Sequence, residues 1–452
     1  MKRLEGLFFL FVFVQGIFYL FLIPPWQSPD ETRHFEYGAL LSKDIKSRPL
    51  AYENLEKKII ESMDTFNAWK YQLIPPPSPL PHRLDEVPFF GEAFDVFERA
   101  PLYYSLSSFI IKEFKINGII NQLYLIRSFS FILFLFSVYF AYLSSRILFK
   151  DNVLYCLAAV SFVAFLPQFL IISTSVNPIN LAVFLETIFI YLLLLSLNRG
   201  GKLLIVLFGP IIIGLGFFNH QSALFMVPPF LILLFIYFLK SLKNKRELLR
   251  IFLISSIIIL LFLAIYLVAY HFSPGLLKTV VRQSGITPRI AEINAFIKYL
   301  YTTPHFFDGF FQSFWYFSGW MRFRYPLDIY SILKLISLLS LLGLFKYLFF
   351  TLSRKDYKPS IDFKSFLILS AACLSILLGT IIRYLNYEVA QGRFIFPAIS
   401  AFAILFVLGL KEITPKILEK RLPIFIIIGF VALDVYTIFN HLTRVFYYFT
   451  NA

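Results

Sequence analysis

Repeated apolar runs, each about as long as a bilayer's hydrocarbon core is thick, dominate this sequence. The first is Leu7 to Ile23, and further runs of about 18 to 22 residues follow along the chain. Hydrophobic residues make up 58% of the 452 positions and charged residues only 15%, which is unlike a soluble domain. Because these runs are too long for barrel strands, their backbone polar groups must be satisfied within helices. The sequence therefore predicts an all-α, polytopic transmembrane helical bundle.

Hydropathy predicts about eleven spans, and the placement of basic residues predicts their orientation. Lys and Arg cluster in the connections 146–150, 199–202, 240–250, 354–364 and 411–421, which lie on one side if the N-terminus is cytoplasmic. This bias also accounts for the net charge of +15, so we do not expect a nucleic-acid partner. The predicted spans are residues 7–23, 127–148, 153–176, 179–197, 203–219, 222–239, 251–271, 329–350, 365–383, 394–410 and 422–440.

This topology predicts a single membrane domain, residues 1–452, with two large extracytoplasmic segments, 24–126 and 272–328. The first segment contains the proline-rich stretch 73–84, which is unsuited to a helix, and the aromatic amphipathic stretch 98–114. We expect the amphipathic stretch to form an interfacial helix that helps to enclose a cavity at the membrane surface. The first run is interpreted as a retained helix, because Pro-Pro-Trp-Gln follows it in place of a small-residue cleavage site. Cys156 and Cys373 lie in apolar runs and suggest neither a disulfide framework nor a thiolate metal site.

Charged residues are concentrated where the chain leaves the first span, in Ser28-Pro29-Asp30-Glu31-Thr32-Arg33-His34. The simplest interpretation is a helix start, with serine at the N-cap, proline at the first position and acids in the first turn. A chemical interpretation is also open, because Asp30 and His34 share a helix face and acids at a membrane edge are often functional.

Five stretches, taken together, resemble the GT-C superfamily of membrane glycosyltransferases, and more closely an uncharacterised family of predicted membrane proteins grouped near it. They are SPDETRHF (28–35), APLYYSL (100–106), LPQFLIISTSVNPINLA (166–182), FWYFSGWMRFRYPL (314–327) and QGRFIFPA (391–398). The resemblance implies a sugar donor linked to a polyprenyl phosphate or pyrophosphate, an inverting transfer, and a glycan, lipid or protein acceptor. Together with the predicted topology, it implies a cell-membrane location, contact with membrane lipids, and an active site on the extracytoplasmic side.

The resemblance assigns the proton-accepting role to Asp30, with Glu31 as the competing candidate because the two acids are adjacent. An inverting transfer needs such a base and a group that stabilises the departing phosphate. Arg393 is the candidate phosphate ligand, and its alternative is a cation that anchors the helix at the interface. The further candidate substrate-binding residues are His34, Gln391, Asn177, Asn180, Tyr103 and Trp320. Arg127, Arg322, Arg324 and Arg383 are additional cations at predicted outer boundaries.

No cofactor is required by this interpretation, although Asp30 and His34 are possible ligands of a divalent cation, Mg²⁺ or Mn²⁺. GT-C enzymes that use such an ion usually add a second acid from the second outer loop, where this sequence has Asn180. Two other classes of function remain open. An ion-coupled transporter or flippase of lipid-linked glycans is suggested by Glu186 and Asp434, which lie within spans, and a non-catalytic envelope-polysaccharide assembly factor would need only the outer segments.

Overall fold

The computed structural model is mostly helical in the residues that it describes, where no strand occurs and an isolated antiparallel bridge joins Ser318 and Phe323. The described residues are 2–42, 49–71, 78–87, 102–150, 152–200, 202–241, 306–319, 322–354, 356–384 and 391–448. This confirms the all-α prediction. The predicted span 251–271 and Trp320 lie outside the described residues, as does most of the predicted segment 272–328.

The described ranges contain sixteen α-helices, which are numbered in chain order. They are α1 (Lys2–Leu22), α2 (Glu31–Ser42), α3 (Pro49–Thr65), α4 (Leu102–Phe114), α5 (Ile119–Leu148), α6 (Val153–Ala164), α7 (Pro167–Ser173), α8 (Ile179–Arg199), α9 (Lys202–Phe217), α10 (Val227–Ser241), α11 (Phe306–Trp315), α12 (Leu327–Ser353), α13 (Phe363–Tyr384), α14 (Ile399–Ile413), α15 (Lys416–Glu419) and α16 (Leu422–Thr437). Short 3₁₀-helices lie at Ala68–Tyr71, Leu84–Glu86, Gln221–Met226 and Gly392–Ala398, and π-helical turns lie at Ile438–Leu442 and Arg444–Tyr448.

Eight helical segments in the described residues are long and apolar enough to cross a bilayer, and α6 with α7 forms a ninth candidate that is bent by 63°. The predicted span 203–219 corresponds to α9, a shorter helix of 16 residues. The total of about eleven spans therefore stays a prediction. The eight segments are Lys2–Leu22, Ile119–Leu148, Ile179–Arg199, Ser222–Lys240, Leu327–Ser353, Phe363–Ile381, Gly392–Ile413 and Leu422–Tyr448.

Helix α5 begins at Ile119, whereas hydropathy placed the start of this span at residue 127. Gly118, with φ of 89°, is the residue immediately before this helix. In the first turn, the Asn121 side chain donates to the Asn117 carbonyl at 3.0 Å. Polar residues in these first turns lower the local hydropathy, so a hydropathy window misses them although they are helical. The consequence is that Arg127 lies inside the helix and not at its end.

Three helices of the segment after α1 pack together. Helix α2 contacts α4 closely, and Gly38 of α2 lies against Ser107 of α4. A Cβ atom added to Gly38 would lie only 3.3 Å from the Ser107 Cβ atom, so the glycine allows this close approach. The predicted helix within residues 98–114 is confirmed as α4, with Tyr103 and Tyr104 buried and Phe109 exposed. Its position relative to a bilayer stays a prediction.

Helices α2 and α3 are joined by a buried cluster of charges. Arg33 Nη1 lies 2.9 Å from Glu36 Oε2 and 3.7 Å from Glu56 Oε1, and all three side chains are at most 5% exposed. Glu56 also accepts the Leu84 backbone N–H at 3.2 Å. Burial, followed by the neighbouring Glu36 carboxylate, raises the pKa of Glu56 to about 7, although Arg33 acts in the opposite direction.

This raised pKa predicts that α3 becomes less stable between about pH 4.5 and pH 7. Folded protein holds the Glu56 proton more tightly than unfolded protein, so stabilisation is complete below that window and is lost as the pH rises through it. Glu56→Gln, which mimics the neutral acid, should reduce the pH dependence and stabilise α3 by about 1 to 3 kcal/mol at pH 8. Hydrogen exchange of the α3 amides measures this. Glu61→Gln, at an exposed position of the same helix, is the control, and the stability of its α3 should change with pH as in the parent.

The 3₁₀-helix Gly392–Ala398 continues directly into α14, and two close contacts fix its position. A Cβ on Gly392 would lie 2.5 Å from Phe314 Cα, so only glycine allows this approach to α11. The Gly392 N–H donates to Ser313 Oγ at 2.8 Å. Further along, Gly409 of α14 crosses α12 with almost no space between the backbones, which is typical of small residues between membrane helices.

Candidate active site

The first and last parts of the described chain meet at one cavity. Arg393 Nη2 donates to Asp30 Oδ2 at 2.6 Å, although the two residues are 363 positions apart. Both side chains line a cavity of about 150 Å³. This contact places the C-terminal end of α1 and the start of the Gly392–Ile413 span at the same end of the bundle.

Asp30 is held at this cavity by the start of α2. Its φ of 59° is in the left-handed region, which aspartate tolerates better than most residues, and its carbonyl accepts the His34 N–H at 3.1 Å. The side chain is 53% exposed and so remains open to the cavity. The backbone therefore fixes the position of the carboxylate without enclosing it.

Arg393 is almost completely buried, with 8% of its side chain exposed. Asp30 binds one of its nitrogens, and the guanidinium lies 5.4 Å from the centre of the Phe394 ring. Its Nε and Nη1 atoms have no hydrogen-bond partner among the described residues. Because an unpaired buried N–H is costly, these donors favour an anionic ligand in the cavity.

Glu31, the neighbouring acid, lies in a different environment. Arg127 Nε donates to Glu31 Oε1 at 2.8 Å and Arg127 Nη2 to Oε2 at 2.6 Å, and both side chains are fully buried. Arg127 also donates to the Ile23 carbonyl at 2.7 Å, and the Val176 N–H donates to Glu31 at 3.1 Å. This bidentate pair joins the end of α1, the start of α2, α5 and the turn before α8. Arg127 is thereby occupied and is not placed to share a phosphate with Arg393.

Two glutamine side chains whose sequence context predicts no role in binding also line the cavity. Gln27 precedes the charged stretch, and Gln168 lies in α7 just after the bend in the span. Gln168 Oε1 accepts the Phe317 N–H at 2.6 Å. Of the predicted substrate-binding residues, Gln391 lines the cavity beside Arg393. The remaining lining residues are Ile23, Pro29, Ile171, Ser313, Phe317, Ser318, Gly319, Leu442 and Phe446.

Four other predicted substrate-binding residues lie away from this lining and make local contacts. Tyr103 is fully buried, and its hydroxyl is bonded to Ser130 Oγ at 2.7 Å and accepts the Asn177 N–H. Asn177 Oδ1 accepts the Ile179 N–H, and Asn180 Nδ2 donates to the Ile172 and Ser175 carbonyls. These contacts shape the turn between α7 and α8, which is the role of structural amides. His34 Nδ1 is 2.8 Å from the Tyr104 hydroxyl.

A divalent metal site at Asp30 and His34 stays a prediction, and both side chains contact other residues. His34 contacts Tyr104, and Asp30 pairs with the Arg393 cation. Across the described ranges, no group of three His, Cys, Asp or Glu side chains is arranged to hold a metal ion. A hard divalent cation prefers several oxygen ligands, and a neighbouring guanidinium opposes its binding.

The two acids within spans, which suggested a transporter, do not line this cavity either. Asp434 of α16 is buried and accepts from the Tyr19 hydroxyl at 2.7 Å and from Gln15 Nε2. Glu186 of α8 is also buried, and its Oε1 has no hydrogen-bond partner among the described residues. The Asp434 contacts join α16 to α1, as expected of a structural acid between helices.

Comparisons with known proteins give fold-level similarities only. No protein-family model matches the chain. No curated protein gives a significant sequence match. A crystal structure of ArnT from Cupriavidus metallidurans in the apo state aligns over 93% of this chain and 62% of its own, with 12% identity and a TM-score of 0.48.

A structure of the archaeal oligosaccharyltransferase AglB from Archaeoglobus fulgidus, in complex with an inhibitory peptide and a dolichol-phosphate, aligns over 98% of this chain. It covers 55% of the AglB chain, with 14% identity and a TM-score of 0.46. This chain therefore spans less than two thirds of either structure. At these values, neither similarity assigns an activity.

Proposed function

We propose that this protein is an integral-membrane glycosyltransferase of the GT-C type, which moves a sugar from a polyprenyl-phosphate-linked donor to an acceptor at the extracytoplasmic face. The observation that carries the proposal is the shared cavity of Asp30 and Arg393, where a carboxylate lies beside a buried guanidinium with unpaired N–H groups. The resemblance of the five sequence stretches to the GT-C superfamily supports the same reaction. The basic clusters of the predicted cytoplasmic connections support the choice of face.

The chemistry requires two opposite charges close to one sugar. Asp30 accepts the proton of the acceptor hydroxyl as that oxygen attacks the anomeric carbon. The bond from the anomeric carbon to the phosphate oxygen breaks, and Arg393 stabilises the phosphate that leaves. Attack from the side opposite the leaving group inverts the anomeric centre.

The ion pair between Asp30 and Arg393 implies an order of binding. A phosphate that binds a two-donor edge of the Arg393 guanidinium uses Nη2 together with Nε or Nη1, so it competes with the Asp30 carboxylate for Nη2. Donor binding would thus weaken the contact that occupies Asp30 and make the carboxylate available to the acceptor. Glu31, which is paired with Arg127, would fix the position of the neighbouring Asp30.

Substitution of Arg393 tests the phosphate role. Arg393→Gln should raise the KM for the lipid-linked donor by roughly 10- to 100-fold, because charge-assisted hydrogen bonds to the phosphate are lost. Arg393→Lys keeps the positive charge but loses the bidentate geometry of the guanidinium. The KM of this variant for the donor should therefore lie between that of Arg393→Gln and that of the parent. The measurement is sugar transfer in nanodiscs with a panel of polyprenyl-phosphate-linked hexoses and pentoses.

The control for this substitution is Arg324→Gln, which removes an exposed arginine that does not line the cavity. It should leave the KM for the donor unchanged. A parent-like KM in Arg393→Gln would contradict the phosphate role, and no transfer by the parent with any donor of the panel would contradict the proposed function.

A further inference from the structure

Two glutamines face the same cavity as Asp30 and Arg393, and both are buried with polar atoms left available. Gln27 and Gln168 are each 3% exposed and contribute to the cavity lining. They come from distant parts of the chain, one between α1 and α2 and the other from α7. A buried amide without its full set of hydrogen bonds is costly, so its persistence calls for a ligand.

Gln27 offers an acceptor. Its Nε2 atom donates to the Ala68 carbonyl at 3.4 Å, which orients the amide and leaves Oε1 on the other side. Oε1 is buried and has no hydrogen-bond partner among the described residues. A neutral amide oxygen in this position accepts a hydrogen bond from a hydroxyl and repels a phosphate oxygen.

Gln168 offers a donor. Its Oε1 atom accepts the Phe317 N–H at 2.6 Å, so the opposite end of the amide, Nε2, carries the available protons. Helix α7 begins at Pro167 and is bent by 63° relative to α6, and this bend positions Gln168. Broken backbone at membrane depth is tolerated where it lines a cavity, and here the break brings an amide to that cavity.

We propose that Gln27 and Gln168 form a hydroxyl-recognition subsite, which binds the neutral sugar ring whose phosphate is held by Arg393. Each sugar hydroxyl is both donor and acceptor, so a ring with neighbouring hydroxyls can donate to Gln27 Oε1 and accept from Gln168 Nε2. This inference rests on the proposed function, since it assigns the sugar of the same donor. It adds that recognition of the sugar uses uncharged amides.

Binding of water-soluble donor fragments tests the subsite. The full chain in nanodiscs is titrated with inorganic phosphate and with the 1-phosphates of glucose, galactose, mannose, N-acetylglucosamine and arabinose. At least one sugar phosphate should bind about 10-fold or more tightly than inorganic phosphate. Gln27→Met and Gln168→Met should each lower the affinity for that sugar phosphate by about three- to tenfold and leave the affinity for inorganic phosphate unchanged.

The matched control is Gln122→Met, which removes a glutamine near the start of α5 that bonds the Ile116 carbonyl and does not line the cavity. This variant should change neither the affinity for the sugar phosphate nor that for inorganic phosphate. If no sugar phosphate binds more tightly than inorganic phosphate, or if both methionine variants keep the full preference, the subsite is overturned while the phosphate site stands. If neither inorganic phosphate nor any sugar phosphate binds, the anion site fails, and the proposed function fails with it.

Discussion

Asp30→Asn is expected to lower the kcat of sugar transfer by about 10²- to 10⁴-fold while the protein remains folded. The amide has nearly the same shape as the carboxylate and can still accept a hydrogen bond from Arg393, but it cannot take the proton of the acceptor hydroxyl. Because the Arg393 side chain is only 8% exposed, loss of its counter-charge is also expected to lower the stability of the protein. The transfer assay in nanodiscs, with thermal unfolding measured in parallel, separates catalysis from stability.

A matched control for this variant is Asp85→Asn, which removes another acid from the segment after α1. Asp85 pairs with Arg83 and does not line the cavity, so its substitution should leave kcat within about twofold. An Asp30→Asn variant as active as this control would contradict the assignment of Asp30 as the base.

Arg127→Met and Glu31→Gln are each expected to reduce the free energy of unfolding by about 3 to 5 kcal/mol. Each variant removes one member of a fully buried ion pair and leaves the other without its counter-charge. The double variant should recover part of the loss, because it leaves neither charge alone in the interior. Equilibrium unfolding in mixed micelles measures all three variants against the parent.

Arg146→Met provides the comparison at the other end of α5, where the arginine is only partly buried and lies over the Tyr142 ring. We expect a loss of less than about 1 kcal/mol there. Single variants of Glu31 and Arg127 that are as stable as Arg146→Met would show that the buried pair does not stabilise the fold. The two acids are thereby distinguished, since Asp30→Asn should chiefly lower the rate of sugar transfer and Glu31→Gln should chiefly lower the stability.

Much of the architecture follows from the length of the apolar runs, because the bilayer allows few ways to satisfy a backbone. The all-α class and most helices were predictable on that basis. The location of Asp30 and Arg393 at one end of the bundle is compatible with the predicted alternating topology. Hydropathy, however, does not specify which residues at that end touch. Their contact at 2.6 Å depends on packing through α7, which contacts both α1 and the 3₁₀-helix Gly392–Ala398, and sequence patterns do not encode such packing.

Other parts of the site could not be predicted, for identifiable reasons. Arg127 follows polar residues, so it looked like a cation at a helix end, and its partner Glu31 is 96 positions away. Gln168 lies within an apolar run next to a proline, where a glutamine facing a cavity and one capping a helix have the same local pattern. Asn177 and Asn180 lie in one of the five stretches that resemble the GT-C superfamily, and their hydrogen bonds within the turn between α7 and α8 could not be predicted from that resemblance.

The separation of Asp30 and Arg393 along the chain has a consequence for biogenesis. A ribosome delivers Asp30 to the membrane early and Arg393 only after most of the remaining helices have been synthesised. Until the Gly392–Ile413 segment inserts, the nascent protein has the proposed proton acceptor without the cation, so under the proposed function partly translated chains would be unable to transfer sugar. Competence would thus arise late, when insertion of this segment completes the site.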